Sequence, residues 1–161
     1  GQGELLVTPL QMARTYAAIG GDGYLYRPHL ILARENAYGV IDKRLVRREN
    51  EKICSDKIRH FLQSALVDVV ATEEGTGGLA RIKGVDVAGK TGTAENASGE
   101  DHAWFIAYAP AEDPEVAVAV IIENAGHGGS VAAPIVGELL DTYFNWQEQE
   151  TPSDTAEKVQ P

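Results

Sequence analysis

The chain has 161 residues, of which 24 are acidic and 14 are basic, so its formal net charge is −10. Its length fits one domain of ordinary size, and its longest apolar run, residues 116–122, is far shorter than the roughly 20 residues of a membrane helix. The strong negative charge argues against nucleic acid and anionic membrane surfaces as partners, because both would repel it.

The charged residues are unevenly distributed. Between Gly84 and Pro161 the sequence has 14 acidic residues but only two basic ones, Lys90 and Lys158. Lys90 is therefore an isolated cation in an acidic region. The single cysteine, Cys54, excludes an internal disulfide and a cysteine-based zinc site. Because the sequence opens with Gly-Gln-Gly-Glu and no initiator Met, we expect it to be a piece of a longer protein.

The first predicted helix spans residues 9–20. Thr8 is the expected N-cap, Pro9 occupies the first helical position, and Gln11 completes a capping box. Apolar residues then recur at helical spacing until Gly20 and Gly21, which signal the end of the helix.

Two further helices are predicted. Residues 55–71 carry apolar side chains at i, i+3, i+4 and i+7 spacing, which is typical of a helix face that packs on a core. Residues 130–145 repeat this pattern after a glycine-rich loop. The polar and basic segment 34–52 is interpreted as a surface excursion or a small hairpin. Residues 147–161 have little to bury and are predicted to form a disordered tail.

The hydrophobic period changes to two in the second half of the chain. This alternation, and two almost entirely apolar runs, predict strands at 85–95, 103–109 and 116–122, the last two joined by a hairpin loop at 110–115. Helices followed by antiparallel strands and a final helix indicate the α+β class rather than an alternating parallel fold.

The segment from Gly84 to Thr91 matches the phosphate-loop pattern Gly-x-x-x-x-Gly-Lys-Thr. A phosphate loop needs a flexible segment before the lysine and a helix that begins at it. Here two valines favour a strand, Asp86 would repel a phosphate, and the residues after Thr91 do not favour a helix. A nucleotide-binding protein is therefore the weaker interpretation.

The alternative is a Lys-Thr-Gly motif on an edge strand, as in penicillin-recognising enzymes. An edge strand offers unpaired backbone groups to which an extended peptide can add as one more strand. Lys90 and the hydroxyls of Thr91 and Thr93 could then bind a substrate carboxylate, and Gly92 would let the ligand backbone approach closely. The N–H near Thr93 could form half of an oxyanion hole.

The context of this motif strengthens the second interpretation. The informative segments, in chain order, are Gly1-Gln2-Gly3, Thr8 to Ala13, Arg27-Pro28-His29-Leu30, Val87 to Glu95, His102 to Ile106, Ala107 to Pro110, Val116 to Val120, Glu123-Asn124 and Ala132-Ala133-Pro134-Ile135. With them, residues 1–144 resemble the C-terminal part of the transpeptidase domain of class B (monofunctional) penicillin-binding proteins. The similarity is greatest to the elongation-type penicillin-binding protein 2.

The chain departs from that family in one respect. The resemblance implies a nucleophilic serine in Ser-x-x-Lys and a second motif, Ser-x-Asn. None of the five serines in the sequence has a lysine three residues later or an asparagine two residues later. We therefore expect both motifs in a missing N-terminal part of the domain, and no activity from this chain alone. Without that part, the chain is expected to self-associate.

The resemblance implies the following assignments. Lys90 and Thr93 would be catalytic, and Lys90, Thr91, Gly92 and Thr93 would bind substrate, with no metal and no cofactor. The ligands would be peptidoglycan stem peptides and β-lactams, and a wall-synthesis glycosyltransferase is a possible partner. The expected location is the periplasmic face of the bacterial inner membrane. A penicillin-recognising sensor or structural domain without turnover stays open as an alternative.

Other candidate residues are given structural interpretations. His102 is interpreted as a polar residue at a strand end, and Glu95 as a solvated one. Trp104 and Tyr108, which alternate along one strand, are interpreted as core residues. His127 lies in the glycine-rich loop and would be near the cleft by analogy with the family.

Overall fold

The computed structural model describes residues 5–31, 33–42, 47–97 and 99–150. It confirms the α+β class and the antiparallel three-stranded sheet. The elements in chain order are α1 (Pro9–Gly20), β1 (Tyr24–Tyr26), β2 (Arg34–Glu35), β3 (Ile41–Asp42), β4 (Arg48–Lys52), α2 (Asp56–Ala71), a 3₁₀ turn (Gly78–Ala80), β5 (Ala88–Ala94), β6 (His102–Ala109), β7 (Val116–Ile122) and α3 (Ala132–Glu150).

The start of α1 confirms the predicted capping box. The Gln11 N–H donates to the Thr8 hydroxyl at 3.2 Å, and the Thr8 N–H donates to the Gln11 side-chain oxygen at 2.8 Å. Both bonds satisfy N–H groups that the first turn of a helix would otherwise leave without partners. The helix is therefore fixed by local sequence at the end that faces the functional cleft described below.

The apolar face of α2 is only partly buried. Ser55 caps the helix through the Ile58 N–H, and Leu66 and Val70 are buried. However, 53% of Ile58 and 72% of Phe61 are exposed to solvent, although the pattern predicted that they pack on a core. α1, β5 and the 3₁₀ turn cover one side of α2 only, so part of its apolar face stays exposed.

The main sheet has the strand order β5-β6-β7, and each pair is antiparallel. Lys90 pairs with Ile106 and Gly92 with Trp104. Within the described ranges no strand pairs with the outer side of β5, so this strand is an edge. It begins at Ala88 rather than at residue 85, because Val85 pairs with Ile82 across the turn at Gly84 and not with β6.

Each face of the sheet packs against helices. One core cluster joins α1 and α2 to the face that carries Ile106 and Tyr108. The other joins α3 and the 3₁₀ turn to the opposite face, which carries Phe105 and Ala107. Almost entirely apolar strands are expected where a sheet is covered on both faces. This holds for β6, whereas every residue of β7 stays partly exposed although its composition is just as apolar.

Two smaller sheets form the region 24–52. β2 and β3 form the predicted hairpin, and β4 pairs with β1, which the sequence did not predict. The Tyr24 ring of β1 lies under the Arg48 guanidinium of β4, 4.1 Å from the ring centroid, so a cation–π contact supports the pairing. Residues 32 and 43–46 lie outside the described residues.

The last helix differs from its predicted bounds. α3 begins at Ala132 rather than at residue 130 and continues to Glu150 rather than ending at 145. Residues 147–150, predicted to belong to a disordered tail, are therefore helical. The rest of that predicted tail, 151–161, lies outside the described residues. None of the helices in the described part of the chain has both the length and the apolar character of a membrane span.

Candidate functional site

A cleft of about 890 Å³ lies beside α1 on the sheet face that packs against α1 and α2. All four predicted site residues line it, together with apolar residues from α1, from β6 and from the segment before α1. Its lining includes the polar, charged and aromatic residues Lys90, Thr91, Gly92, Thr93, Glu95, Asp101, His102 and Trp104. The structure thus brings the Lys-Thr-Gly motif to the wall of a groove that is open along an edge strand.

Lys90 lies in the middle of β5 with an exposed side chain. Its Nζ donates to the backbone carbonyl oxygen of Thr91 at 2.9 Å and lies 3.5 Å from the Thr91 hydroxyl. Across the described ranges no carboxylate forms an ion pair with Lys90. The ammonium group is therefore held near the motif's own oxygen atoms and is not neutralised by an acidic neighbour.

The Thr91 hydroxyl has a second hydroxyl beside it. Thr76, in the loop between α2 and the 3₁₀ turn, places its Oγ1 2.8 Å from the Thr91 Oγ1. Thr76 is not among the predicted site residues, because only the fold brings this loop next to β5. Its one local signal is the glycine-rich setting, Gly75 and Gly77-Gly78, which is typical of a loop that approaches other backbone closely.

Gly92 is confined on its cross-strand side. A Cβ added at this position would lie 3.1 Å from the Cβ of Trp104, so a larger residue would crowd the cleft wall. Trp104 itself is only half-buried and lines the cleft, so its interpretation as a core residue was wrong in part. Tyr108, four residues further along β6, is fully buried, as predicted.

Lys90 is the one cation among the described residues that line the cleft, where Glu95 and Asp101 are the carboxylates. With this balance of charge, the cleft does not attract anions generally. An anionic ligand would have to be recognised locally, by the ammonium group and the neighbouring hydroxyls. Tyr16 borders the cleft from α1, and burial raises the pKa of its phenol.

His102 opens β6, which agrees with its interpretation as a strand-end residue, but it also has a specific partner. Its Nδ1 accepts a hydrogen bond of 3.0 Å from the backbone N–H of Asn124, in the loop between β7 and α3. Glu95 is exposed and lines the cleft, whereas His127 is not one of the lining residues. Gly1–Gly3 and Ser98 lie outside the described residues.

The geometry excludes the phosphate-loop interpretation. Lys90 and Thr91 lie inside a seven-residue strand, and no helix begins at the lysine. The backbone N–H groups of a helix start, which would bind the phosphates, are therefore not available there. In the described part of the chain there is also no group of three or more His, Cys, Asp or Glu side chains that could hold a metal ion.

Comparison with known proteins identifies the family. The family described as "Penicillin binding protein transpeptidase domain" matches residues 1–141. The chain belongs to this family. It is 37% identical over 144 residues to the peptidoglycan D,D-transpeptidase PbpA of Mycolicibacterium smegmatis, and 36% identical over 163 residues to the peptidoglycan D,D-transpeptidase MrdA of Haemophilus influenzae. These matches cover 84% and 90% of the chain.

Solved structures of the same family confirm the fold of the chain. The D,D-transpeptidase domain of a peptidoglycan glycosyltransferase from Eggerthella lenta superposes with a TM-score of 0.75 at 36% identity and covers 89% of the chain. Penicillin-binding protein A of M. tuberculosis, as its imipenem acyl-enzyme complex, superposes with a TM-score of 0.71 at 30% identity, again over 89% of the chain.

The chain is much shorter than these relatives. It spans 29% of the length of the M. smegmatis protein, 25% of the H. influenzae protein, and 33% and 32% of the two solved chains. It therefore corresponds to about a third, or less, of each relative.

Proposed function

We propose that the chain is the Lys-Thr-Gly-bearing part of a peptidoglycan D,D-transpeptidase that cross-links stem peptides and is acylated by β-lactams. The observation that carries the proposal is the position of the motif, since Lys90, Thr91, Gly92 and Thr93 line one open cleft along an edge strand. Family membership over residues 1–141, and relatives named as D,D-transpeptidases, support it.

Substrate binding would begin at the edge of β5. An extended stem peptide can add to this edge through backbone hydrogen bonds, which hold the peptide alongside the strand and fix its register. The peptide's carboxylate would then be bound by the Lys90 ammonium and by the hydroxyls of Thr91 and Thr93. The Thr76 hydroxyl, 2.8 Å from that of Thr91, would orient the Thr91 hydroxyl, because one of the two donates to the other.

Catalysis by this part of the site would be electrostatic. As the scissile carbonyl becomes tetrahedral, negative charge develops on its oxygen, and the N–H of Thr93 is proposed to donate to that oxygen as half of an oxyanion hole. Lys90 would add positive potential in a cleft whose other charged residues, Glu95 and Asp101, are acidic. Gly92 lets the substrate backbone approach the strand.

The nucleophile must come from outside these 161 residues, since they contain no Ser-x-x-Lys and no Ser-x-Asn sequence. In the proposed reaction the oxygen of an upstream serine bonds to the scissile carbonyl carbon. The amide C–N bond, or the lactam C–N bond of a penicillin, then breaks, and the departing nitrogen takes up a proton. The resulting acyl-enzyme is resolved by an amine of a second stem peptide. The chain alone would be inactive.

The proposed reaction also gives the protein a proposed location and context. Peptidoglycan cross-linking takes place at the periplasmic face of the bacterial inner membrane, and we place the protein there, in the growth of the wall and the maintenance of cell shape. A wall-synthesis glycosyltransferase, which makes the glycan strands that carry stem peptides, is the proposed partner.

A fluorescent penicillin tests the proposal. The complete domain, in which this chain follows its serine-bearing segment, should form a covalent adduct that survives denaturing electrophoresis, whereas the 161-residue chain should remain unlabelled. Labelling of the isolated chain, or its absence from the complete domain, would overturn the proposal. Release of product from a stem-peptide substrate would distinguish a transpeptidase from a penicillin-recognising sensor, which would bind without turnover.

A further inference from the structure

The loop between β7 and α3, residues 123–131, is fastened at its beginning to the hairpin between β5 and β6. The backbone N–H of Asn124 donates to His102 Nδ1 at 3.0 Å, and the N–H groups of Ala125 and Gly126 both donate to the Asp101 carbonyl oxygen at 2.9 Å. The Asn96 side-chain amide donates to the side-chain oxygen of Asn124. Residues 124–126 of the loop are therefore held by Asp101, just before β6, and by His102, the first residue of β6.

The other end of the same loop lies directly on the Lys-Thr-Gly strand. A Cβ added at Gly128 would overlap the carbonyl oxygens of both Gly92 and Trp104, so the loop backbone is in close contact with this strand pair. A Cβ added at Gly129 would lie 2.5 Å from the Thr76 carbonyl oxygen and 3.5 Å from the Thr91 Cγ2. The loop thus touches the two threonines that bring their hydroxyls together, and also the glycine of the motif.

Asn124 has a backbone conformation that depends on hydrogen bonds from outside the loop. Its φ is 54°, in the left-handed region that residues other than glycine adopt infrequently. Such a conformation persists only where the surroundings hold it, and the bond to His102 fixes the N–H of this residue. An imidazole that accepts at Nδ1 carries its proton on Nε2, so the contact also selects one tautomer of His102.

We propose that His102 is a positioning residue for the Lys-Thr-Gly strand. By accepting the Asn124 N–H, it holds the start of the loop, and the loop in turn keeps Gly92 and Thr91 in the geometry that binds the ligand carboxylate. This inference rests on the proposed function. It assigns His102 no contact with the reacting atoms: although the residue lines the cleft, its Nδ1 is occupied by the Asn124 N–H, and the loop that begins at Asn124 reaches Gly92 through Gly128.

The kinetic test compares three variants of the complete transpeptidase domain. In His102→Asn the side-chain oxygen can stand where Nδ1 stands, because both atoms are two bonds from Cβ, whereas the oxygen of His102→Gln corresponds to Nε2. His102→Leu has no acceptor. We expect the second-order rate constant of acylation by fluorescent penicillin to fall on the order of 10- to 100-fold for Leu and Gln, and to recover most of that loss for Asn.

Controls separate this inference from the proposed function. His60→Leu, at an exposed histidine of α2, should acylate at the wild-type rate. If the wild-type domain forms no adduct, the proposed function fails. If it does, and His102→Leu acylates equally fast, only the positioning role fails, and equal rates for Asn and Gln would contradict it as well, because a merely structural role does not distinguish the two acceptor positions.

Nitrogen NMR of the wild-type complete domain provides a test that does not depend on how the variants fold. The His102 imidazole should show a pyridine-type Nδ1, which accepts the Asn124 N–H, and a pyrrole-type Nε2. A proton on Nδ1 in the wild-type domain would overturn the proposal, because that nitrogen could not accept the Asn124 N–H.

Discussion

Tyr108 places a polar group at the centre of the core between the sheet and helices α1 and α2. Its side chain is completely buried beside Tyr16 and Ile19, and burial raises the pKa of Tyr108 to about 12. Its hydroxyl has no hydrogen-bond partner within the described part of the chain. A buried donor without a partner costs roughly 1–3 kcal/mol of stability, so the aromatic ring stabilises this site and the oxygen does not.

This orphaned hydroxyl leads to a stability prediction. Tyr108→Phe should leave the free energy of unfolding of the chain unchanged or raise it by up to about 1 kcal/mol, because it removes an unsatisfied polar atom and keeps the ring. Phe105→Leu, in the same strand, should lower it by about 1 kcal/mol through lost packing. Urea unfolding measures both. A clear loss of stability in Tyr108→Phe would mean that the hydroxyl is bound, for example by a buried water.

A sequence motif predicts a shared site only for residues that are close together in the chain. Lys90, Thr91, Gly92 and Thr93 are contiguous, so their type and order could be predicted to share one site. Thr76 stands 14 residues before Lys90 and meets Thr91 only because the chain returns from α2 to β5. No local pattern records such a contact, since it depends on tertiary packing alone.

At the scale of elements, local chemistry decided which predictions succeeded. α1 has its predicted bounds because Thr8, Pro9 and Gln11 determine its start within four residues. The pairing of β1 with β4 was missed because β4, Arg-Glu-Asn-Glu-Lys, is polar throughout and shows no alternation. For α2 the periodicity correctly indicated an apolar face, but periodicity does not tell what covers that face.

An ion pair at the first turn of α2 should make the stability of the chain depend on pH. Lys52 Nζ donates to both carboxylate oxygens of Asp56, at 2.7 and 2.8 Å, and this bond lowers the pKa of Asp56 from its ordinary value of 3.8. A lowered folded-state pKa means that the ionised carboxylate stabilises the fold above pH 3.8. That contribution is lost as the pH falls through the lower folded-state value. The negative charge also favours a helix N-terminus.

Asp56→Asn should therefore reduce the melting temperature at pH 7. The difference from the wild-type chain should shrink as the pH is lowered through the acid range below 4, because both side chains are then uncharged. Thermal melts at several pH values measure this. Asp113→Asn, in the loop between β6 and β7, is the control and should show little difference at any pH. A constant Asp56→Asn difference across the range would refute the electrostatic account.

For the whole molecule, the exposed apolar surface is the dominant feature. Ile58 and Phe61 on α2, Leu5 and Leu6 before α1, and Leu10 on α1 are all more than half exposed. β7, Val-Ala-Val-Ala-Val-Ile-Ile, has an outer edge without charge or proline, and no strand within the described ranges pairs with it. Edge strands in natural proteins normally carry charged residues or prolines that prevent pairing with another strand. The unprotected edge of β7 and the exposed apolar side chains of α1 and α2 are therefore both suited to contact with further protein.

We therefore expect the isolated chain to self-associate. Analytical size-exclusion chromatography should show species larger than 17.3 kDa whose proportion rises with concentration. Phe61→Asp should reduce the association, because it places a charge in the exposed patch of α2 without disturbing the buried Leu66 and Val70. Glu138→Asp, on the exposed side of α3, is the matched surface control. A clean monomer that is stable to dilution would contradict the prediction.

Lys90 is proposed to be the cation that recognises the anionic ligand. The most direct test is the second-order rate constant for acylation of the complete domain by a fluorescent penicillin, measured for Lys90→Ala beside Lys83→Ala, an exposed lysine outside the cleft. Lys90→Ala should acylate on the order of 100-fold more slowly or worse with an unchanged melting temperature. Acylation of Lys90→Ala at the rate of the Lys83→Ala control would contradict the account.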